Sequence, residues 1–376
     1  MFNQRINKLR TDFSTLGIDA AIILNFENQF YFSGLKAITY SRPIVLGIDS
    51  ETTHLIIPSL EEEHAKDKTT IENLYVYHET KLRSFEGESY LDYFSKLLDH
   101  FPENGRIGIE FSSLPVILGN MLTEKGFTLV NLDKHIAEMR FVKDEEELKL
   151  IREAGSLVSI ALKNSLENAK AGITEIELDQ FGNKALFQEV AKKHPNSTLD
   201  FFVMSPSGVK RTNMPHVFSN TRALETNDII IHSRQVGFNG YRAECERTFF
   251  IGEPTSEQAK VFNIAVEAQA EVLKQIKVGM RASDVNEIAR LIIADAGLEK
   301  YMNHRTGHGI GIGLHEEPSL RFDNELVLKE GMVFCVEPGI YVPDIGGFRH
   351  SDTVILTNEG TELITEYPSS LEELVF

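Results

Sequence analysis

Histidines and glutamates gather beside glycines in four clusters within the second half of this sequence. Asn213-Met214-Pro215-His216 sets a histidine in a polar, loop-like stretch. The segment Gly240–Thr248 carries Glu244 and Glu246 at alternate positions, which on a strand puts both carboxylates on one face. His308 sits within Gly307-His308-Gly309, and His315-Glu316-Glu317-Pro318 follows it. Glu337 opens Glu337-Pro338-Gly339, ahead of Arg349-His350-Ser351-Asp352. Imidazoles move protons near neutral pH, and carboxylates bind cations, activate water or attack as nucleophiles. Each cluster alone has a plain explanation. A glutamate near a strand end is usually solvated, a loop histidine is commonly inert, and Gly-His-Gly can be a tight turn. Three carboxylates and three histidines at strand ends together make a candidate site.

The elements that must position these groups fall into two styles. From Phe2 onward, Phe2, Ile6 and Leu9 share a helical face, and Gly17 stands where a helix-ending glycine would. Strands are predicted at Ala20–Leu24, Ile44–Ile48, His54–Ile57, Leu74–Tyr77 and Arg106–Ile109, with a helix at Tyr90–His100. This alternation describes an α/β domain over residues 1–135. A charged run, Lys143-Asp144-Glu145-Glu146-Glu147, then opens a long helix with Leu148, Ile151, Ala154, Val158 and Leu162 on one side. Helices are predicted at Glu175–Lys192, Ser256–Gln275 and Ala282–Ala296. Strands are predicted at Asp200–Met204, Asp228–His232, Glu246–Ile251, Met332–Val336 and Asp352–Leu356. A second, α+β domain is therefore expected over residues 140–376, with the boundary near Leu132–Phe141.

Composition narrows the function classes. With 38 Lys+Arg against 56 Asp+Glu the net charge is −18, which disfavours nucleic acid and anionic membrane as partners. Met1–Gly17 lacks the apolar core of a signal peptide, and no apolar stretch reaches membrane-spanning length. Cys245 and Cys335, the only cysteines, form no metal or redox motif. A cytoplasmic protein is expected.

The clusters, in this order and spacing, resemble the pita-bread fold family of methionine aminopeptidase, aminopeptidase P, prolidase and creatinase. The resemblance rests on Gly307-His308-Gly309-Ile310-Gly311, on His315-Glu316-Glu317-Pro318, and on Gly331-Met332-Val333-Phe334-Cys335-Val336-Glu337-Pro338-Gly339-Ile340-Tyr341. Leu16–Ala20 and Tyr31-Phe32-Ser33-Gly34 are similar to the first domain of the aminopeptidase P, prolidase and creatinase branch. The resemblance implies an α/β N-terminal domain followed by a pita-bread catalytic domain, and a homodimer. The metal peptidases of this fold hold two ions with two aspartates, a histidine and two glutamates. Their motif positions here are Ser233, Glu244, His308, Glu337 and Ser351. Two dications roughly 3.5–4 Å apart need bridging carboxylates, which neutral serines do not supply. His232 and His350, offset by one residue on their strands, are directed to the opposite face.

By motif the site is closer to creatinase and the ectoine hydrolases, members that work without metal. Creatinase carries a glutamate before its Arg-Thr pair, as Glu246 stands here before Arg247-Thr248. Glu244 is an acid absent from creatinase, and Ser351 replaces a histidine there. The expectation is a hydrolase cleaving a C–N bond of amidine, guanidino or amide type, without cofactor. Its substrate would be a small cation or zwitterion that offsets clustered carboxylates. His216 would be the acid/base; Glu246 and Glu337 would bind the cationic centre, one of them acting as nucleophile. Glu244, His308 and His315 would hold and orient the substrate, and Arg321 or Arg349 would meet its carboxylate. The alternative is a metal-dependent Xaa-Pro dipeptidase or aminopeptidase with one divalent ion, such as manganese or zinc, on Glu244, His308 and Glu337. A third reading is a non-catalytic binding module.

Overall fold

A computed structural model describes residues 1–38, 41–79 and 88–376. The chain divides into two compact units, Met1–Met139 and Arg140–Phe376.

The first unit is built on a six-stranded mixed sheet of β1 (Ala20–Ile23), β2 (Val45–Ile48), β3 (Thr53–Pro58), β4 (Asn73–Tyr77), β5 (Arg106–Ile109) and β6 (Thr128–Asn131), in the order β4-β3-β2-β1-β5-β6. Strand β1 pairs antiparallel with β2 and parallel with β5. Ala20, Ile22, Val45, Ile56, Ile107 and Ile109 join Phe94, Leu97 and Leu122 in its core. The first helix, Phe2–Leu16, ends at Gly17 with φ 62°, a left-handed conformation that glycine reaches at little cost.

The second unit carries β7 (Leu199–Met204), β8 (Asp228–Phe238), β9 (Tyr241–Ile251), β10 (Gly307–Gly309), β11 (Glu316–Leu320) and β12 (Val333–Val336). Later come β13 (Gly339–Val342), β14 (Gly346–Arg349), β15 (Ser351–Thr357) and β16 (Gly360–Leu363). The main sheet runs β11-β10-β12-β15-β9-β8-β7, with β16 beside β15, while β13 and β14 form a separate hairpin. Helices Glu145–Leu166, Glu175–Lys193 and Ser256–Gln275 each begin at a capping box, set by Asp144 with Glu147, Thr174 with Glu177 and Thr255 with Gln258. Their apolar residues, among them Leu157, Val158, Leu178, Leu186, Val261 and Phe262, enter one core with alternate strand residues such as Ala243, Cys245, Phe334, Val336 and Val354. The period-two alternation of the strands leaves Glu244, Glu246 and Cys335 on the other face.

Strands β8 and β9 are longer than their predicted spans. Ser233, Gln235 and Glu244 interrupt the apolar pattern on one face, and Arg234 interrupts it on the other, where it donates to Asn183, Ser165 and the Asp179 carbonyl. Asn239 and Gly240, at φ 48° and 94°, close the hairpin as a two-residue turn. Gly307-His308-Gly309 is a strand rather than a tight turn. A side-chain carbon on Gly307 would collide with the Cys335 carbonyl, so glycine is what lets β10 approach β12.

Arg247, on β9, has a structural task. Arg247 Nη2 lies 3.0 Å from Asp352 Oδ1, both buried, and Asp352 also accepts from Thr365 Oγ at 2.7 Å and Gln269 Nε2 at 3.0 Å. Removing one partner strands a buried charge. Asp352→Ala is expected to lower stability by about 3–5 kcal/mol; a denaturant midpoint equal to the parent's would refute this.

Candidate active site

The site is a consequence of strand register. Across β10, β12 and β15, His308 faces Cys335 and Cys335 faces Thr353. Thr353 Oγ1 meets the backbone of Glu244 on β9, and Glu244 faces Gln235 on β8. These five form one lateral row. Two residues along each strand, on the same face, lies a second row in which Glu246 is flanked by Ser233 on β8 and Ser351 on β15. Glu337 follows β12 directly, held by its N–H to the Thr306 carbonyl at 2.8 Å.

Glu246 sits at the centre of its row and is answered by Arg349. The guanidinium donates through Nε to Oε2 and through Nη2 to Oε1 at 2.9 Å, and its Nε lies 3.9 Å from Glu337 Oε2. Burial pushes the Glu246 carboxyl up, but Arg349 outweighs it and the group stays below its ordinary range. Arg349 Nη1 also donates to Tyr341 Oη at 3.0 Å. Tyr341 Oη in turn lies 2.9 Å from His304 Nε2, while His304 Nδ1 lies 2.8 Å from the Arg305 carbonyl. Burial, then Arg349, lowers His304 to about 4, so its ring is neutral: Nδ1–H donates to the carbonyl and Nε2 accepts from the tyrosine.

His308 is set up as a ligand. Its Nδ1 lies 2.8 Å from the Gly309 carbonyl, which fixes the proton on Nδ1 and frees the Nε2 lone pair. Nε2 is buried without a hydrogen-bond partner, 3.4 Å from Glu337 Oε1 and 3.9 Å from Glu244 Oε2. Donor atoms around a zinc-sized ion lie roughly 3.4 Å apart. Glu244 also accepts from Ser351 Oγ at 2.6 Å and from Gln235 Nε2. Burial and then Glu246 raise both Glu244 and Glu337 above the carboxylate range, since the carboxylates outnumber the nearby cations. One divalent ion suits the chemistry of one nitrogen and two carboxylates. A second does not: Ser233 and Ser351 bring no charge, and Arg349 already neutralises Glu246.

A cavity of about 300 Å³ opens onto these groups, lined by His216, His304, Arg305, His315, Arg321, Glu337 and Arg349. His216 is exposed at its edge, and burial followed by Arg349 lowers its pKa. The His315 ring lies 4.0 Å from that of His308, centroid to centroid. Arg321 is mostly exposed and paired with Asp323 at 2.5 Å, so it borders the cavity without being committed to it. His232 and His350 face away. His232 meets Ser205 and Arg234, and His350 packs edge-on against Phe262. Three groups given no role from sequence belong to the site: His304, Arg305 and Tyr341. Their one sequence signal was adjacency to the His308 and Glu337 motifs. The Arg349 pairing is expected to be strongly coupled. Glu246→Ala or Arg349→Met alone should cost about 3–5 kcal/mol of stability, and the double variant should recover most of it. Additive losses in a double-mutant cycle would refute the pairing.

Comparison with known proteins agrees with this geometry. Residues 149–358 match the model of metallopeptidase family M24, and residues 5–142 match the creatinase/prolidase N-terminal domain. The Xaa-Pro dipeptidase of Pyrococcus horikoshii is 30% identical over 368 residues, 97% of this chain and 98% of that one. Among solved structures, an Xaa-Pro dipeptidase from Bacillus anthracis superposes with a TM-score of 0.86 at 26% identity, covering 100% of both chains. The prolidase of Pyrococcus horikoshii superposes with a TM-score of 0.84 at 30% identity, covering 98% of this chain and 99% of that one. The chain belongs to metallopeptidase family M24, and the pita-bread fold and the hydrolase class expected from sequence hold. No helix among the described residues is long and apolar enough to cross a membrane.

Two expectations are corrected. The cofactor-free site is overturned by membership of a metallopeptidase family and by the unpartnered His308 Nε2 between two carboxylates. The amidine- or guanidino-cleaving, creatinase-like reading is overturned by full-length likeness to Xaa-Pro dipeptidases. Its physical premise also fails: the cation that offsets Glu246 is Arg349 of the chain itself.

Proposed function

We propose that this member of metallopeptidase family M24 is an Xaa-Pro dipeptidase working with one divalent ion, such as manganese or zinc, on Glu244, His308 and Glu337. The observation that carries the reading is the buried His308 Nε2, unpartnered and facing Glu337 Oε1 at 3.4 Å and Glu244 Oε2 at 3.9 Å. An ion held there would supply Lewis-acid polarisation of the scissile carbonyl. The full-length likeness to Xaa-Pro dipeptidases supports the substrate class.

The chain's own groups divide the remaining work. A cavity of about 300 Å³ suits a dipeptide-sized molecule. Arg305 Nε is buried without a hydrogen-bond partner, and no carboxylate among the described residues lies within salt-bridge distance of its guanidinium. Arg305 is therefore the cation available to a substrate carboxylate, whereas Arg349 is committed to Glu246 and Arg321 to Asp323. His304 holds Arg305 in place through the backbone contact at its carbonyl. His216, neutral near pH 7, is placed to take a proton from the attacking water and pass it to the departing proline nitrogen. His315 covers His308 and limits water at the ligand ring. A homodimer, implied by the family resemblance, is part of this reading.

Elemental analysis of protein purified without chelator should find close to one transition-metal ion per chain. Xaa-Pro dipeptide cleavage should vanish with chelator and return with manganese or zinc. Cleavage undiminished in a protein free of metal would overturn the reading. Arg305→Leu should raise KM for a dipeptide by about 10–100-fold, from the loss of one charged hydrogen-bonded contact, with a smaller change in kcat. An unchanged KM would remove Arg305 from carboxylate recognition.

A further inference from the structure

Cys335 occupies the middle of the row that carries the ligands, where it stands directly opposite His308 on β10. Its neighbours Phe334 and Val336 turn into the hydrophobic core, as does the other cysteine, Cys245. Cys335 turns the other way, toward the face of Glu244 and Glu337. Its Sγ, a Glu244 oxygen and a His308 nitrogen all lie within 4.8 Å of one another. All three residues are buried, and His308 Nε2 has no hydrogen-bond partner. The thiol's own contact is a long one, 3.7 Å to Thr353 Oγ1.

We propose that Cys335 is a further ligand of the ion, binding as a thiolate beside Glu244, His308 and Glu337. The inference rests on the single-ion reading above and deepens it by naming the metal preference. Sulfur is a soft donor that favours zinc or cobalt over manganese, whereas carboxylates and imidazole alone discriminate less. Coordination places the sulfur's electron pair on the metal and releases the thiol proton to solvent. With Cys335 the ion would have four protein donors, and a substrate carbonyl would enter as a fifth ligand, as at zinc sites that expand to five. As a thiolate, Cys335 would add one negative charge to the ligand row, beside the second row in which Ser233 and Ser351 have none to give.

The test strips the full-length protein with chelator and reloads it with cobalt(II), whose thiolate-to-metal charge-transfer absorption in the near ultraviolet reports sulfur ligation directly. The wild type and Cys245→Ser should both show the band at one cobalt per chain. Cys335→Ser should lose it while still binding cobalt, and its preference for zinc over manganese in competition should fall by about tenfold or more. Stoichiometric cobalt without the band, or a band that survives in Cys335→Ser, overturns the proposal and leaves the metallopeptidase reading standing. Failure of the wild type to bind cobalt overturns both. If Cys335→Ser does not fold, the spectra of the wild type and Cys245→Ser decide alone.

Discussion

A carboxylate buried in the middle of a sheet face has to be answered by a positive charge, and here the answer to Glu246 is Arg349. The pair is nearly solvent-free, with both side chains about 3% exposed. Burying either ion alone would cost several kcal/mol, so each makes the other's position possible. Much of the site follows from this one contact. Arg349 fixes Tyr341, Tyr341 fixes His304, and the His304 ring anchors the backbone at Arg305. With Glu246 neutralised, the remaining acids, Glu244 and Glu337, converge on His308 and define the place for a dication. Arg349 thus answers one acid of the cluster, and Glu244 and Glu337 are left beside His308 without a cation of the chain's own.

Fold elements were legible wherever pattern and packing agree. Ser256–Gln275 was readable to its ends because a capping box opens it and an apolar stripe runs through it. Arg106–Ile109 was equally plain, as a short apolar run beside a glycine. Pattern and packing part company at the site. The polar run from Ser233 to Gln235 hid the second half of β8, and for Gly307-His308-Gly309 a tight turn stayed open as the plain explanation because nothing local shows that two strands crowd against it. Helices Phe26–Ser33 and Val116–Glu124 went unread, the first being short and aromatic and the second lacking a side-chain cap.

The ligand candidates were legible from alternation and motif, since Glu244 and Glu246 share a face whatever the rest of the chain does. What they are paired with was not. Glu246 meets Arg349, at the end of β14, because the register of β9 against β15 sets Glu246 opposite Ser351, two residues beyond Arg349, a fact that no local pattern contains. Without it, three acids read as an unanswered negative pocket, and the inference ran toward a cationic substrate and away from metal. Comparing ligand positions one at a time registered two lost aspartate and glutamate places as lost function. The single-ion set on Glu244, His308 and Glu337 was kept only as the alternative, and it is the alternative that the family likeness favours.

The two-residue turn at Asn239 and Gly240 has a broader meaning. By locking β8 to β9 it makes Ser233 and Glu246 lateral neighbours, and β15 makes Ser351 the neighbour on the other side. An acid on any of these three strands at that level therefore faces the same side of the sheet. The sheet behaves as a typesetter's frame, in which individual letters are replaced without disturbing the line. Such a frame decides which side chains meet across the row before it decides what those side chains are.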